Sequence, residues 1–378
     1  MTSKVRSNLL WLGGALFLAL ALAACSKDLP MNTFDPAGPT AQSEKDILIL
    51  PLVISGIVFL LVEGGIVYLA IKYRHRRGRD RMPKQLHGNT RLEIGWTIAP
   101  TVLLAVVFVP AVSLIFQLAE RPPDAMQITV QGYQWWWGFQ YMDADMKVSY
   151  GDPPGPITTA DVLVIPAQTT IDLSLVPMGG GARDDEGNPD HIVIHSFWAP
   201  RLFGKEDVVP GASGLDNHIV FSADEPGTYY GQCAEFCGLQ HGMMKFRIVA
   251  LDATAWQTWV LHHKEPAAKP SDDLAAQGMD LFLGTNGEGG QCIACHEVGG
   301  ETGVNTNAPN LTHFADQRHE CFVGCDFETF NPDGTPNEEA LKAWLRDPSA
   351  VKLGAKMPNY HLTEDEINAL VAYLYTLS

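Results

Sequence analysis

The chain has 378 residues and a formal charge of −17, enough length for two or three domains. The charge is lopsided: residues 1–119 contain 12 Lys/Arg against 7 Asp/Glu, whereas residues 120–378 contain 14 against 36. So acidic a soluble portion excludes nucleic acid as a partner, because phosphates demand a basic surface, and suits a basic protein instead.

In chain order, Lys4 and Arg6 precede an apolar run from Leu9 to Leu22 and then Leu22-Ala23-Ala24-Cys25, so residues 1–24 read as a secretory signal. The tetrapeptide resembles a bacterial lipobox, which implies cleavage before Cys25 and lipid modification of its thiol. Two apolar stretches follow, Ile47–Ile71 and Ile94–Leu118. Each exceeds the roughly 20 residues needed to cross hydrocarbon. The loop between them carries Lys72, Arg74, Arg76, Arg77, Arg79, Arg81 and Lys84, a cationic density that belongs on the cytoplasmic side. Everything beyond residue 119 then lies outside. The expectation is a multi-pass protein of the bacterial inner (plasma) membrane with periplasmic soluble domains.

From Met126 the pattern becomes strand-like. Gln127–Gln131, Val162–Ile165, Ile171–Val176, His191–His195, Asn217–Phe221 and Lys245–Leu251 are short β-rich runs separated by Gly/Pro/Asp clusters. Such spacing predicts a Greek-key sandwich or barrel. Lys264–Asp273 is rich in Pro, Ala and charge and reads as a linker. Helical patterns then cover Leu274–Gly284, Glu338–Arg346 and Glu364–Leu377, the last opened by Thr363 and an acidic first turn. The expected architecture is a two-helix transmembrane hairpin (25–119), an all-β domain (120–263), a linker (264–272) and a small all-α domain (273–378).

Seven cysteines occur: Cys25 and three close pairs. The pair Cys233 and Cys237 is followed by His241 and Met244, a soft donor set that selects copper over hard cations. His195, in Ile194-His195-Ser196-Phe197-Trp198, is placed to supply a second imidazole for a two-copper site. From about residue 44 to 262 the chain resembles cytochrome c oxidase subunit II, through its C-x-E-x-C-G-x-x-H-x-x-M signature and its H-S-F-W-x-P segment. The resemblance implies a cupredoxin-like domain in which His195, Cys233, Cys237, His241 and Met244 bind dinuclear CuA. The cysteines would bridge the coppers. Glu235 would give its backbone carbonyl to copper and its carboxylate to a Mg²⁺ shared with subunit I, a hard ligand for a hard ion. Glu235 distinguishes the chain from nitrous oxide reductase, whose loop resembles one with Trp at that position, and quinol oxidases lack the cysteines. Tyr133-Gln134-Trp135-Trp136-Trp137 resembles the family's aromatic patch above CuA. Trp135 is a candidate point of electron input there, or a packing residue of the sandwich.

Glu63 and Glu93 are ionisable groups in or beside apolar spans and are costly there. Glu93 aligns with the glutamate at the mouth of a proton channel in related oxidases; the bland reading is a solvated interfacial carboxylate.

Cys292-Ile293-Ala294-Cys295-His296 is a haem c attachment motif: the thiols bond the haem vinyls and the imidazole reaches iron. Residues 273–378 resemble a class I cytochrome c, which implies Met357, before Pro358, as sixth ligand; His313, His319 and His361 compete for that role. His/Met ligation raises the potential. Cys321 and Cys325 have no adjacent His and are expected to form a local disulfide.

The resemblance implies an electron-transfer subunit of a terminal oxidase. Haem c passes electrons to CuA, and CuA to haem a in subunit I, where O₂ is reduced to water with proton pumping. The expected partners are subunits I and III, an external electron donor and the membrane. The alternative is the CuA/haem c subunit of a nitric oxide reductase.

Overall fold

The computed structural model describes residues 29–74, 85, 87–148, 155–179, 192–210, 217–270, 272–285, 292–299, 308–316, 321, 325, 329–331 and 335–378. Cys25, expected to carry a lipid, most of the cationic loop and His319 lie outside the described residues.

Two long helices, α1 (Pro39–Lys72) and α2 (Thr90–Leu118), are long and apolar enough to cross a membrane. Their large apolar side chains, Phe59, Leu60 and Phe116 among them, are exposed, as a lipid-facing surface requires. Pro51, Pro100 and Pro110 lie inside the helices. α1 starts eight residues before the apolar run at Ile47. Those polar first turns are stabilised by the sandwich domain, which apolarity alone does not reveal. The Ala41 N–H donates to the Leu202 carbonyl (3.2 Å), Thr40 Oγ1 to Val220 O (2.9 Å), and the Gly204 N–H to Glu44 Oε1 (2.9 Å). Gly38 is required just before the helix: a Cβ there would lie 2.1 Å from the Ser222 carbonyl oxygen. The sandwich is thus seated on the outer end of the hairpin.

Among the described residues the sandwich has eleven strands: β1 (Met126–Tyr133), β2 (Trp136–Tyr141), β3 (Lys147–Val148), β4 (Gly155–Ala160), β5 (Val162–Pro166), β6 (Ile171–Pro177), β7 (His195–Ala199), β8 (Phe203–Val208), β9 (His218–Phe221), β10 (Gly227–Cys233) and β11 (Lys245–Leu251). They form two sheets, ordered β3-β4-β2-β1-β6-β9 and β5-β11-β10-β7-β8. The pairs β1/β6 and β5/β11 are parallel and the other pairs antiparallel. Phe139, Phe197, Phe246 and Trp137, all fully buried, fill the space between the sheets. One strand differs from expectation: His195 opens β7 instead of closing a strand over 191–195. The apolar run Ile192-Val193-Ile194 looks strand-like, but Ile192 is exposed, whereas His195, Ser196, Phe197 and Ala199 are buried in the sheet.

The helix α3 (Ala253–His263), unforeseen from the sequence, closes the sandwich and carries Trp256 and Val260 into its core. The remaining helices are α4 (Asp273–Leu283), α5 (Glu338–Arg346), the short α6 (Pro348–Val351) and α7 (Glu364–Leu374). α4 ends on Gly284 in the left-handed region (φ 74°), and α7 starts with the expected capping box between Thr363 and Glu366. α4 and α7 pack closely: a Cβ on Gly278 would lie 2.0 Å from the Ala369 carbonyl oxygen. The linker is not a free coil. Ala267 packs on the cytochrome-like core and touches the Gly299 turn.

Candidate copper and haem centres

β7 and β10 lie side by side, with Cys233 paired to Phe197, so His195 and Cys233 are delivered to one end of the sandwich. The loop from Ala234 to Met244 is stitched to that end. The Ala234 N–H donates to Ser196 O (2.9 Å), and the Cys233 N–H to Met244 O (2.8 Å). Every candidate copper ligand converges there. Cys233 Sγ lies 3.8 Å from Cys237 Sγ, 3.9 Å from His195 Nδ1 and 3.2 Å from the Glu235 carbonyl oxygen. Cys237 Sγ lies 3.9 Å from His241 Nδ1 and 3.8 Å from Met244 Sδ. His195, Cys233, Cys237 and Met244 are buried. The hydrogen bond from the Cys237 thiol holds Cys233 well below the usual thiol range, while Cys237 is pushed up by the same contact. A thiol whose proton is loosely held suits displacement of that proton by a metal. Thiolates, imidazoles, a thioether and a carbonyl within this radius fit a copper pair.

The three tryptophans have different places. Trp137 is buried in the core, its ring edge-on to His195 at 5.7 Å. Trp136 stacks on Tyr133 at 4.1 Å. Trp135 touches the ligand loop: its Nε1–H donates to Cys237 O (2.9 Å), which also accepts from Gln134 Nε2 (2.8 Å). Gly238, at φ +117°, permits this approach, since a Cβ there would lie 3.0 Å from Trp135 Cζ2.

The other side of Trp135 is covered by the C-terminal domain. Lys352 Nζ, buried, donates to the Trp135 carbonyl (2.7 Å), and Gln240 Nε2 donates to the Leu353 carbonyl. Gly354, at φ +83°, comes so close that a Cβ would lie 3.1 Å from Leu239 Cδ1 and 3.4 Å from Trp135 Cζ3. Behind this contact is a cavity lined by Cys292, Cys295, His296 and Met357, and by Trp135 and Lys352 themselves. His296 Nδ1 donates to Pro309 O (2.8 Å), which leaves Nε2 as the electron-pair donor; burial pushes the imidazole below its usual range and keeps it neutral. An apolar cavity with two thiols, an imidazole and a thioether on its walls fits a covalently attached haem. Neither His313 nor His361 lines this cavity.

Nothing in the sequence marks Lys352, Gln240 or Gly354, because each acts only through a partner more than 100 residues away. Glu93 lies in the first turn of α2, where its carboxylate accepts from the Asn89 N–H (3.1 Å) as a helix cap. The Glu235 carboxylate accepts from the Phe236 N–H (3.3 Å). Cys321 and Cys325 stand sulfur to sulfur, and Cys321 is buried against the haem cavity.

Three family descriptions match in succession. They are the cytochrome c oxidase subunit II transmembrane domain over residues 26–114, its periplasmic domain over 126–251, and cytochrome c over 275–378. Cytochrome c oxidase subunit 2 of Alkalihalophilus pseudofirmus is 36% identical over 368 residues, covering 96% of this chain and 95% of the relative. The chain belongs to the cytochrome c oxidase subunit 2 family. The subunit 2 of Bacillus subtilis is 31% identical and covers 94% of each chain. A solved periplasmic domain of subunit II (CoxB) of Bradyrhizobium japonicum is 26% identical, covering 38% of this chain and 96% of that one at a TM-score of 0.28. The protein is therefore a subunit of a haem–copper oxidase complex. It is membrane-associated through two apolar helices, has a soluble extracellular portion with a cupredoxin-like and a cytochrome c domain, and serves electron transfer with copper and haem.

Proposed function

We propose that haem c, carried by Cys292, Cys295, His296 and Met357, delivers electrons by way of Trp135 to CuA on His195, Cys233, Cys237, His241, Met244 and the Glu235 carbonyl, for onward transfer to haem a in subunit I and O₂ reduction coupled to proton pumping. The observation that carries this reading is the position of Trp135. Its indole donates to the carbonyl of a candidate copper ligand, while its ring and backbone meet the haem-cavity loop at Gly354 and Lys352. The chain's own residues do the positioning. Lys352 and Gln240 fix the cytochrome domain across the copper loop, and Gly354 lets the backbone approach Leu239 and Trp135 closely.

The same reading assigns the units 25–119, 120–263 and 273–378 to anchor, copper domain and cytochrome, joined by 264–272. Subunits I and III are the partners in the bacterial inner membrane, and Cys25 carries the lipid. The Glu235 carboxylate serves Mg²⁺ at the boundary with subunit I, and Glu93 serves proton intake there. Cys321 and Cys325 form a disulfide beside the haem. The test is to end the chain after Lys264 and follow reduction of CuA by the natural donor in stopped flow. Reduction slows severely if the fused haem is the obligatory input; equal rates with and without the domain would refute that order.

A further inference from the structure

A second cluster of ligand-type side chains lies away from both centres, where the sandwich meets the cytochrome domain. His262, in the last turn of α3, faces the 3₁₀ turn Phe314–Asp316, and its Nε2 contacts Asp316 Oδ2. His313, just before that turn, brings Nδ1 to 3.9 Å from Asp316 Oδ2, and its ring centroid is 5.0 Å from that of His262. One ligand atom from each of His262, His313 and Asp316 falls within 4.8 Å of the others. His313 is only 9% exposed, and neither of its ring nitrogens has a hydrogen-bond partner. The Glu265 backbone lies nearby without reaching hydrogen-bond geometry. A buried imidazole with both nitrogens unpaired is costly unless something else uses a lone pair.

The elements that present these groups are well anchored. The turn is fixed by the Asp316 N–H to His313 O bond (3.2 Å) and by the Ala315 N–H to Leu377 O bond (2.7 Å). Residues 313 and 316, three apart on a tight turn, project to one side. Glu265 Oε2 lies 3.6 Å from His262 Nδ1, the carboxylate–histidine arrangement that orients a metal-bound imidazole. His263, whose Nδ1 faces the Trp259 carbonyl (3.1 Å), lies tilted against His313 with ring centroids 4.8 Å apart.

We propose that His262, His313 and Asp316 form a binding site for a divalent ion of borderline softness, zinc-like in its preference, which clamps the cytochrome domain to the last helix of the copper domain. Two imidazoles and a carboxylate suit such an ion, with water in the fourth position. Zinc–ligand bonds of roughly 2.0–2.2 Å set tetrahedral ligand atoms about 3.3–3.5 Å apart. The close His262–Asp316 contact therefore opens and the 3.9 Å His313–Asp316 spacing closes slightly, both side-chain adjustments. The site takes no part in the electron path; it sets how firmly the donor domain is held.

The test uses the intact oxidase complex, incubated with zinc chloride and freed of excess metal, with zinc, copper and haem c measured by mass spectrometry and absorbance. The wild type should retain one more zinc per haem c than His313→Gln and Asp316→Asn, with the copper-to-haem ratio equal in all three. Glu265→Gln should keep the ion but weaken zinc affinity by about 10- to 100-fold. Zinc should also slow tryptic cleavage after Lys264 in the wild type and not in the two ligand variants. If His313→Gln misfolds, which the haem and copper spectra report, Asp316→Asn decides alone, since it is near-isosteric. Equal zinc in wild type and Asp316→Asn would overturn the proposal and leave a hydrogen-bonded interdomain contact without metal.

Discussion

Lys352→Met removes the buried ammonium that donates to the Trp135 carbonyl at 2.7 Å, yet keeps a side chain of similar length. Hydrogen bonds to charged groups contribute about 1.5–3 kcal/mol net, and the Trp135 carbonyl loses this donor in the variant. At about 1.4 kcal/mol per factor of ten, the ratio of docked to undocked cytochrome domain should fall by about 10- to 150-fold. Lys264 caps α3 beside the His262–Asp316 contact, and the bond after it fits a protease only when the helix end and linker unfold locally, an opening that the docked cytochrome domain restrains. When reclosing outpaces cleavage, the cleavage rate follows the open population. Cleavage after Lys264 in the intact complex should therefore accelerate by up to that factor. The copper and haem c spectra should stay unchanged. Equal cleavage rates in wild type and variant would show that this bond does not hold the domains together, and the docking argument would fail.

Cys233→Ser or Cys237→Ser should abolish the mixed-valence copper EPR signal and nearly all oxidase activity while leaving haem c intact, because both sulfurs face the same ligand set. A retained signal in either variant would contradict the site. Met357→Ala should lower the haem c potential and remove the far-red sulfur-to-iron absorption band, as expected on loss of a thioether ligand. Persistence of that band would assign the ligand elsewhere.

The fold was legible wherever a local period or spacing carried it. The apolar length of α1 and α2 and the exact extent of β11 came from sequence pattern, as did the capping box of α7. The ligand spacing from Cys233 to Met244 could be read because five of the six candidate ligand residues lie on that one short segment. What escaped depends on tertiary partners. The polar first turns of α1 are helical because sandwich carbonyls and Glu44 complete their hydrogen bonds. The strand opens at His195 because His195, Ser196, Phe197 and Ala199 are buried in the sheet while the apolar Ile192 is not. The sequence leaves Trp135 open between packing and electron transfer, and its position between Gly238 on one side and Gly354 on the other depends on partners far away in the chain. The interdomain histidines come from segments some 50 residues apart and share no motif.

The central claim is that electrons cross from the fused haem to the copper centre at Trp135. It is tested by photochemical reduction of haem c in the intact complex, with absorbance at both centres followed in wild type and Trp135→Leu. The account predicts slow reoxidation of haem c in the variant, with copper and haem spectra otherwise unchanged. Reoxidation as fast as in the wild type would contradict it.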